Sequence, residues 1–117
     1  MVAGTPPPGC LVAQVGQQFE IITGGTFQAT PHVIKAPKKA GLSRSSLAHF
    51  MHLNTRQILF PLKPFRSAEQ VRAYSPPVLA GTYNTKTLVD IGLAPKSALD
   101  AFGYRHYDRL DEQRKHD

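Results

Sequence analysis

The chain has 117 residues, of which 41% are hydrophobic, so it can form one small domain and is not wholly disordered. Its formal charge is +6, yet the Lys and Arg residues are scattered and do not alternate with aromatic residues, which argues against nucleic-acid binding. The single cysteine, Cys10, excludes an internal disulfide and suits a reducing compartment. Without a basic leader or an apolar run of membrane-spanning length, the sequence predicts a cytoplasmic protein with no membrane partner.

The first part of the chain predicts short β-strands separated by tight turns. Residues 10–15 are apolar and rich in β-branched side chains, and residues 26–30 alternate before a proline. Residues 45–53 alternate with period two; a helix is also possible there, but the neighbouring short strands favour a strand. Residues 19–22 fit either a strand or a helical turn, and residues 58–62 form a last apolar run. Phe27, Phe50, Phe60 and Cys10 are predicted core residues, and His49 and His52 are predicted to pack.

The second part predicts short helices. Ser75-Pro76-Pro77 is a linker-like break, so we divide the chain into a β-rich part, residues 1–74, and a linker with a helical tail, residues 75–117. Thr85 is a candidate cap for a helix that ends at Gly92, and a second helix is predicted from Pro95 to a stop at Gly103. The charged residues 108–117 are predicted to fray.

Three residues between the Gly-Gly turn and residue 50 can carry chemistry. His32 follows Ala-Thr-Pro, and neutral imidazole is the commonest metal ligand in proteins, although a lone strand histidine is more often structural. Arg44 offers a planar fork of donors that suits a carboxylate. Ser46 would share a strand face with Arg44, so the pair could form a small carboxylate receptor, or simply be part of a solvated surface.

Taken together, the stretch "TGGTFQATPHVIK…SRSS" resembles the second half of the double-stranded β-helix of Fe(II)/2-oxoglutarate oxygenases, in the isopenicillin-N-synthase-like branch. The resemblance implies that His32 binds Fe(II) together with the histidine and aspartate of an upstream His-x-Asp motif. It implies that Arg44 and Ser46 hold the far carboxylate of 2-oxoglutarate, or a substrate carboxylate in members that do not use this co-substrate. The implied function is a dioxygenase that oxidises a small organic substrate.

The implied fold class is mainly β with C-terminal helices: the second half of a jelly roll, followed by a short helical tail. No histidine precedes His32, so the upstream His-x-Asp is missing. The only such motif, His106-Tyr107-Asp108, lies downstream in a polar segment and is interpreted as a surface tail. The chain is therefore predicted to be a C-terminal fragment, inactive alone. The alternative is a non-catalytic β-rich module that binds a small carboxylate at Arg44 and Ser46.

Half of a two-sheet β-helix would leave strand edges without partners. Such edges are templates for pairing with another chain. We therefore expect the isolated chain to be marginally stable or to associate with itself.

Overall fold

The computed structural model describes residues 4–100, 102, 104 and 106–116. Two strands, β1 (Ile58–Leu59) and β2 (Val78–Leu79), form an antiparallel pair in which Ile58 lies opposite Leu79 and Leu59 opposite Val78. Four α-helices and two 3₁₀ turns complete the regular structure of the described residues. They are α1 (Gln17–Ile22), α2 (Ala68–Ala73), α3 (Ala80–Asp90) and α4 (Asp108–His116), with 3₁₀ turns at Lys63–Phe65 and Lys96–Leu99.

Helix α1 ends in a turn that only glycines adopt readily. Gly24 and Gly25 have φ values of 57° and 78°, in the left-handed region that disfavours a Cβ atom. The Gly25 N–H donates to the Glu20 carbonyl at 2.9 Å, and the Gly24 N–H donates to the Ile21 carbonyl at 3.0 Å. This glycine-closed ending satisfies the last helical carbonyls and sends the chain back along α1.

The core is formed by α1, the strand pair, α3 and the region of α4. Its buried hydrophobic members share near-zero exposure: Ile21, Leu59, Tyr74, Ala80, Tyr83, Tyr107 and Leu110. The Tyr107 hydroxyl donates to the Leu59 carbonyl at 2.9 Å, and its ring meets Tyr74 edge-on with centroids 5.6 Å apart. The C-terminal helix is therefore packed onto the strand pair by both apolar burial and a buried hydrogen bond.

The strands predicted at residues 10–15, 26–30 and 45–53 are not present in the structure. These segments are irregular and largely exposed, and residues 58–62 are strand only at Ile58–Leu59. Of the two alternatives for residues 19–22, the structure shows the helical one. A strand needs a hydrogen-bonded neighbour, and here the Thr30 N–H reaches the Val15 carbonyl at 3.1 Å without a ladder continuing from it.

Most of the side chains predicted to form the core lie in these exposed segments, so that prediction is wrong for them. Cys10, Phe27 and Phe50 are exposed rather than buried, and Phe60 is partly buried against the core. His49 and His52 are also exposed instead of packed in the interior. Burial of these side chains requires an opposing layer, which the described residues do not place over them.

The predicted helices are present in altered form. Helix α3 begins at Ala80 instead of Thr85, whose hydroxyl donates to the Gly81 carbonyl at 3.0 Å, and it ends before Gly92 as predicted. The second helix is reduced to the 3₁₀ turn at Lys96–Leu99, and its predicted stop, Gly103, lies outside the described residues. The predicted fraying is wrong for Asp108–His116, which forms α4, and Asp117 lies outside the described residues.

The surface-tail interpretation of His106-Tyr107-Asp108 is wrong for Tyr107, which is buried. Tyr107 and Leu110 are three residues apart and therefore share a face, which the core covers.

The fold class, half a jelly roll, and the division near residue 74 stay predictions.

Candidate functional site

His32 lies just beyond two anchored residues. The Ala29 N–H donates to Oε2 of Glu20 at 2.7 Å, and the Thr30 N–H donates to the Val15 carbonyl. The exposed His32 ring places Nδ1 3.1 Å from the Thr30 carbonyl oxygen, which can only accept. With Nδ1 as the donor, Nε2 keeps the free electron pair that a metal ligand needs.

Arg44 and Ser46 lie in an irregular, exposed stretch. Within residues 4–100, the structure gives neither side chain a hydrogen-bond or ion-pair partner. Five guanidinium donors and a hydroxyl are therefore available to a carboxylate from solution. No hydrogen bond joins either residue to His32 in this part of the chain.

The donors of the described residues fall short of what an Fe(II) ion needs. An iron oxygenase centre uses two histidines and one carboxylate. Among the described residues there is no group of three His, Cys, Asp or Glu side chains that could hold a metal ion. His106 instead lies 2.9 Å from the Tyr104 hydroxyl and 3.6 Å from Asp111. His32 suits iron as one ligand, but the described donors do not fit a complete iron site.

Two buried polar side chains of α1 support the segment that carries the site residues. Glu20 is 0% exposed, and Nε of Arg109 lies 3.8 Å from its Oε1. Gln18 is 8% exposed; its Oε1 accepts the Leu53 N–H at 3.0 Å, and its Nε2 donates to Oδ1 of Asn84 at 2.5 Å. Sequence reasoning missed these residues, because half of the residues of α1 are polar and nothing in the sequence marks Gln18 and Glu20 as the buried ones.

A groove of about 380 Å³ lies beside the far end of this segment. Its lining mixes apolar side chains with amides and one imidazole: Gln18, Phe19, Met51, His52, Asn54 and Gln57 contribute to it. The Gln18 Nε2 atom lies 3.4 Å from Nδ1 of His52 across this groove. Such a mixed lining can contact a small organic molecule through both shape and hydrogen bonds.

The pKa values of two core tyrosines, Tyr74 and Tyr107, are raised. Burial raises the pKa of Tyr74 to about 12, an effect that Arg109 opposes and Glu20 reinforces. Burial also raises the pKa of Tyr107 well above its usual value. A phenolate is costly in a low-dielectric interior, so both groups stay neutral and act as packing residues.

Comparison with known proteins finds a similarity for the part of the chain that carries the predicted site residues. Residues 2–53 match the 2OG-Fe(II) oxygenase superfamily, and the matched range contains His32, Arg44 and Ser46. The chain is also similar to 2'-deoxymugineic-acid 2'-dioxygenase of Hordeum vulgare, with 32% identity over 69 residues. That alignment covers 59% of this chain and 20% of the barley enzyme, so the chain spans about a fifth of that relative.

No solved structure matches the chain significantly. None of the helices in the described ranges has the length and apolar character needed to cross a bilayer.

Proposed function

We propose that this chain is part of an Fe(II)/2-oxoglutarate-dependent dioxygenase of the isopenicillin-N-synthase-like branch. The superfamily match over residues 2–53 carries the proposal, and the dioxygenase name of the barley relative supports it. In this proposal His32 is one metal ligand, and Arg44 with Ser46 holds a carboxylate of 2-oxoglutarate. In this proposal the irregular segments 10–15, 26–30 and 45–53 become strands of half a jelly roll when they pair with the rest of the enzyme.

The roles proposed for these residues are binding and orientation. Bound iron would supply the oxidation chemistry, while the protein fixes where the co-substrate lies. The exposed guanidinium of Arg44 can meet a carboxylate through two parallel hydrogen bonds, which fixes both position and angle. The Ser46 hydroxyl can add a third. Because the described donors do not form a three-ligand group, the other iron ligands must come from elsewhere in the enzyme.

The first test is to isolate the protein from its source and determine its intact mass. We expect a polypeptide longer than 117 residues that contains a His-x-Asp motif and that converts 2-oxoglutarate to succinate when Fe(II) is supplied. His32→Ala should abolish this turnover. Arg44→Gln should raise the KM for 2-oxoglutarate by roughly 10- to 100-fold, the value of a hydrogen bond to a charged group. Succinate formation that is unchanged in His32→Ala would contradict the proposal.

A second candidate is a module that binds a small carboxylate without catalysis. It is favoured by the solvent-open Arg44 and Ser46 side chains and by the lack of a three-ligand group in the described residues. The test is an NMR titration of the metal-free chain with 2-oxoglutarate and with glutarate. Two results together would favour the module. The chemical shifts at residues 44–46 would change on titration, and this change would vanish in Arg44→Gln and persist in His32→Ala. The native polypeptide would have 117 residues.

A further inference from the structure

We propose that Glu20 and Gln18 of α1 are positioning residues, which fix the two ends of the segment formed by residues 31–52. We further propose that Arg109 of α4 holds Glu20 in that role. The inference rests on the proposed function because this segment carries His32, Arg44 and Ser46. The geometry itself is independent of any metal.

The start of the segment is fixed by Glu20. Its carboxylate is fully buried, and Oε2 accepts the Ala29 N–H at 2.7 Å, while the next amide, that of Thr30, donates to the Val15 carbonyl at 3.1 Å. Two successive amides are thus anchored immediately before Pro31 and His32. At roughly 3.3 Å per residue, the His32 Cα lies within about 7 Å of the Thr30 anchor, so a shift there would move the imidazole directly.

The end of the segment is fixed by Gln18. Its Oε1 accepts the Leu53 N–H at 3.0 Å, and its Nε2 donates to Oδ1 of Asn84 on α3 at 2.5 Å. A buried amide with both ends bonded has one preferred orientation, because rotating it would leave buried polar groups without partners. Both ends of a long exposed segment are therefore tied to side chains two residues apart on one short helix.

Arg109 links this arrangement to the C-terminal helix. Its Nε lies 3.8 Å from Oε1 of Glu20, and its guanidinium also packs against Gly25, in the turn that leads to Ala29. A fully buried carboxylate needs a compensating charge, and Arg109 provides one while remaining 30% exposed. The docking of α4, through Tyr107 and Leu110, therefore places the Arg109 guanidinium beside the Glu20 carboxylate that accepts the Ala29 N–H.

The test is residue-resolved amide hydrogen exchange on the metal-free chain. Glu20→Gln retains the shape of the side chain and removes its charge. We expect the substitution to increase the amide exchange rates of Ala29 and Thr30 about tenfold more than that of Leu110. Loss of the Glu20 contact opens the structure locally at Ala29 and Thr30, whereas general destabilisation would increase exchange at Leu110 equally. Gln18→Met should act in the same way at Leu53. Ser67→Ala, which removes the cap of α2 and none of the hydrogen bonds of Glu20 or Gln18, is the control for general destabilisation and should leave these ratios unchanged.

The role of Arg109 is tested by rescue. Arg109→Met should reproduce the loss of protection at Ala29, and Arg109→Lys, which keeps the charge, should restore much of it. Equal exchange at Ala29 in the Glu20→Gln and Ser67→Ala proteins, or no difference between the two Arg109 variants, would overturn the inference. This outcome is distinct from failure of the proposed function, which would show as absence of 2-oxoglutarate binding at Arg44 while protection at Ala29 is intact.

Discussion

Gly25 has a φ of 78°, and a Cβ atom built there would lie 2.7 Å from Cζ of Arg109. We expect Gly25→Ala to destabilise the protein in two ways. The left-handed backbone costs roughly 1–2 kcal/mol for a non-glycine residue. The displaced guanidinium would weaken its interaction with Glu20, which adds roughly 1–3 kcal/mol for a buried charged group.

The matched control is Gly92→Ala. Gly92 also has a φ of 78° after a helix, but a Cβ atom there would meet nothing within 4 Å. It should therefore show the backbone cost alone. Urea unfolding of both variants measures the difference, and equal losses of stability would show that the contact with Arg109 contributes nothing.

The buried hydroxyl of Tyr74 makes stability depend on alkaline pH. Burial raises its folded pKa to about 12, above the value near 10 expected for an unfolded chain. The stabilisation from this group is complete below pH ~10 and is lost as the pH rises towards the folded pKa. We expect the free energy of unfolding to fall between pH ~10 and 12, and to fall less steeply in Tyr74→Phe. An identical slope in both proteins would exclude Tyr74 as the cause.

His32, Arg44 and Ser46 were identified as candidates through the resemblance of their motif to the oxygenases, because a motif is visible in neighbouring residues, and their roles stay predictions. Glu20 and Gln18 were not identified, since their partners lie at Arg109, Leu53 and Asn84, far along the chain. A polar residue on a short helix is ordinarily solvated. Only the fold brings a distant amide or guanidinium to such a residue, so the spacing of residues in the sequence does not predict the contact.

At the scale of elements, α4 is held by a small apolar contact. Leu110 is 1% exposed and lies in a helix otherwise composed of polar residues. We expect Leu110→Ala to reduce the free energy of unfolding by roughly 2–5 kcal/mol, the usual cost of emptying a buried leucine site. Leu93→Ala, at a side chain that is 74% exposed, should change it by less than about 0.5 kcal/mol. Thermal or urea unfolding compares the two, and similar losses would mean that α4 is not part of the cooperative core.

Helix α4 was mispredicted because its charge dominates its composition, while Tyr107 and Leu110 alone determine where it packs. The opposite error affected the segments 10–15 and 45–53. Their β-branched and alternating residues do favour strands, but pairing is a property of two segments, and the described residues give these segments no ladder partner. Helix ends were more predictable: Gly92 does end α3, because a left-handed turn is a local property.

At the scale of the whole molecule, much apolar surface remains uncovered. The radius of gyration is 16.7 Å, against roughly 13 Å for a compact domain of this length. Leu47 is 99% exposed, and Leu11, Met51, Ile34 and Phe50 are also largely exposed.

We expect the isolated chain to self-associate through these segments, since exposed apolar stretches with unpaired backbone groups favour pairing. Sedimentation velocity over a range of concentrations should show a rising average mass. Replacing Leu47 and Met51 by serine should lower it, whereas Leu93→Ser, at a site that is also largely exposed but lies outside these segments, should have little effect. A monomer at all concentrations would contradict this prediction.

The aromatic core also decides what an optical experiment on this protein can detect. The sequence has no tryptophan, and its four tyrosines, Tyr74, Tyr83, Tyr104 and Tyr107, all belong to the core or pack against it. Near-ultraviolet absorption and intrinsic fluorescence therefore come almost entirely from the region built around β1, β2, α3 and α4. The family-matched residues 2–53 contain no such chromophore. A spectroscopic melting curve would thus follow the C-terminal region. Replacing Phe50 by tryptophan would give a separate fluorescence signal to the segment that carries His32, Arg44 and Ser46.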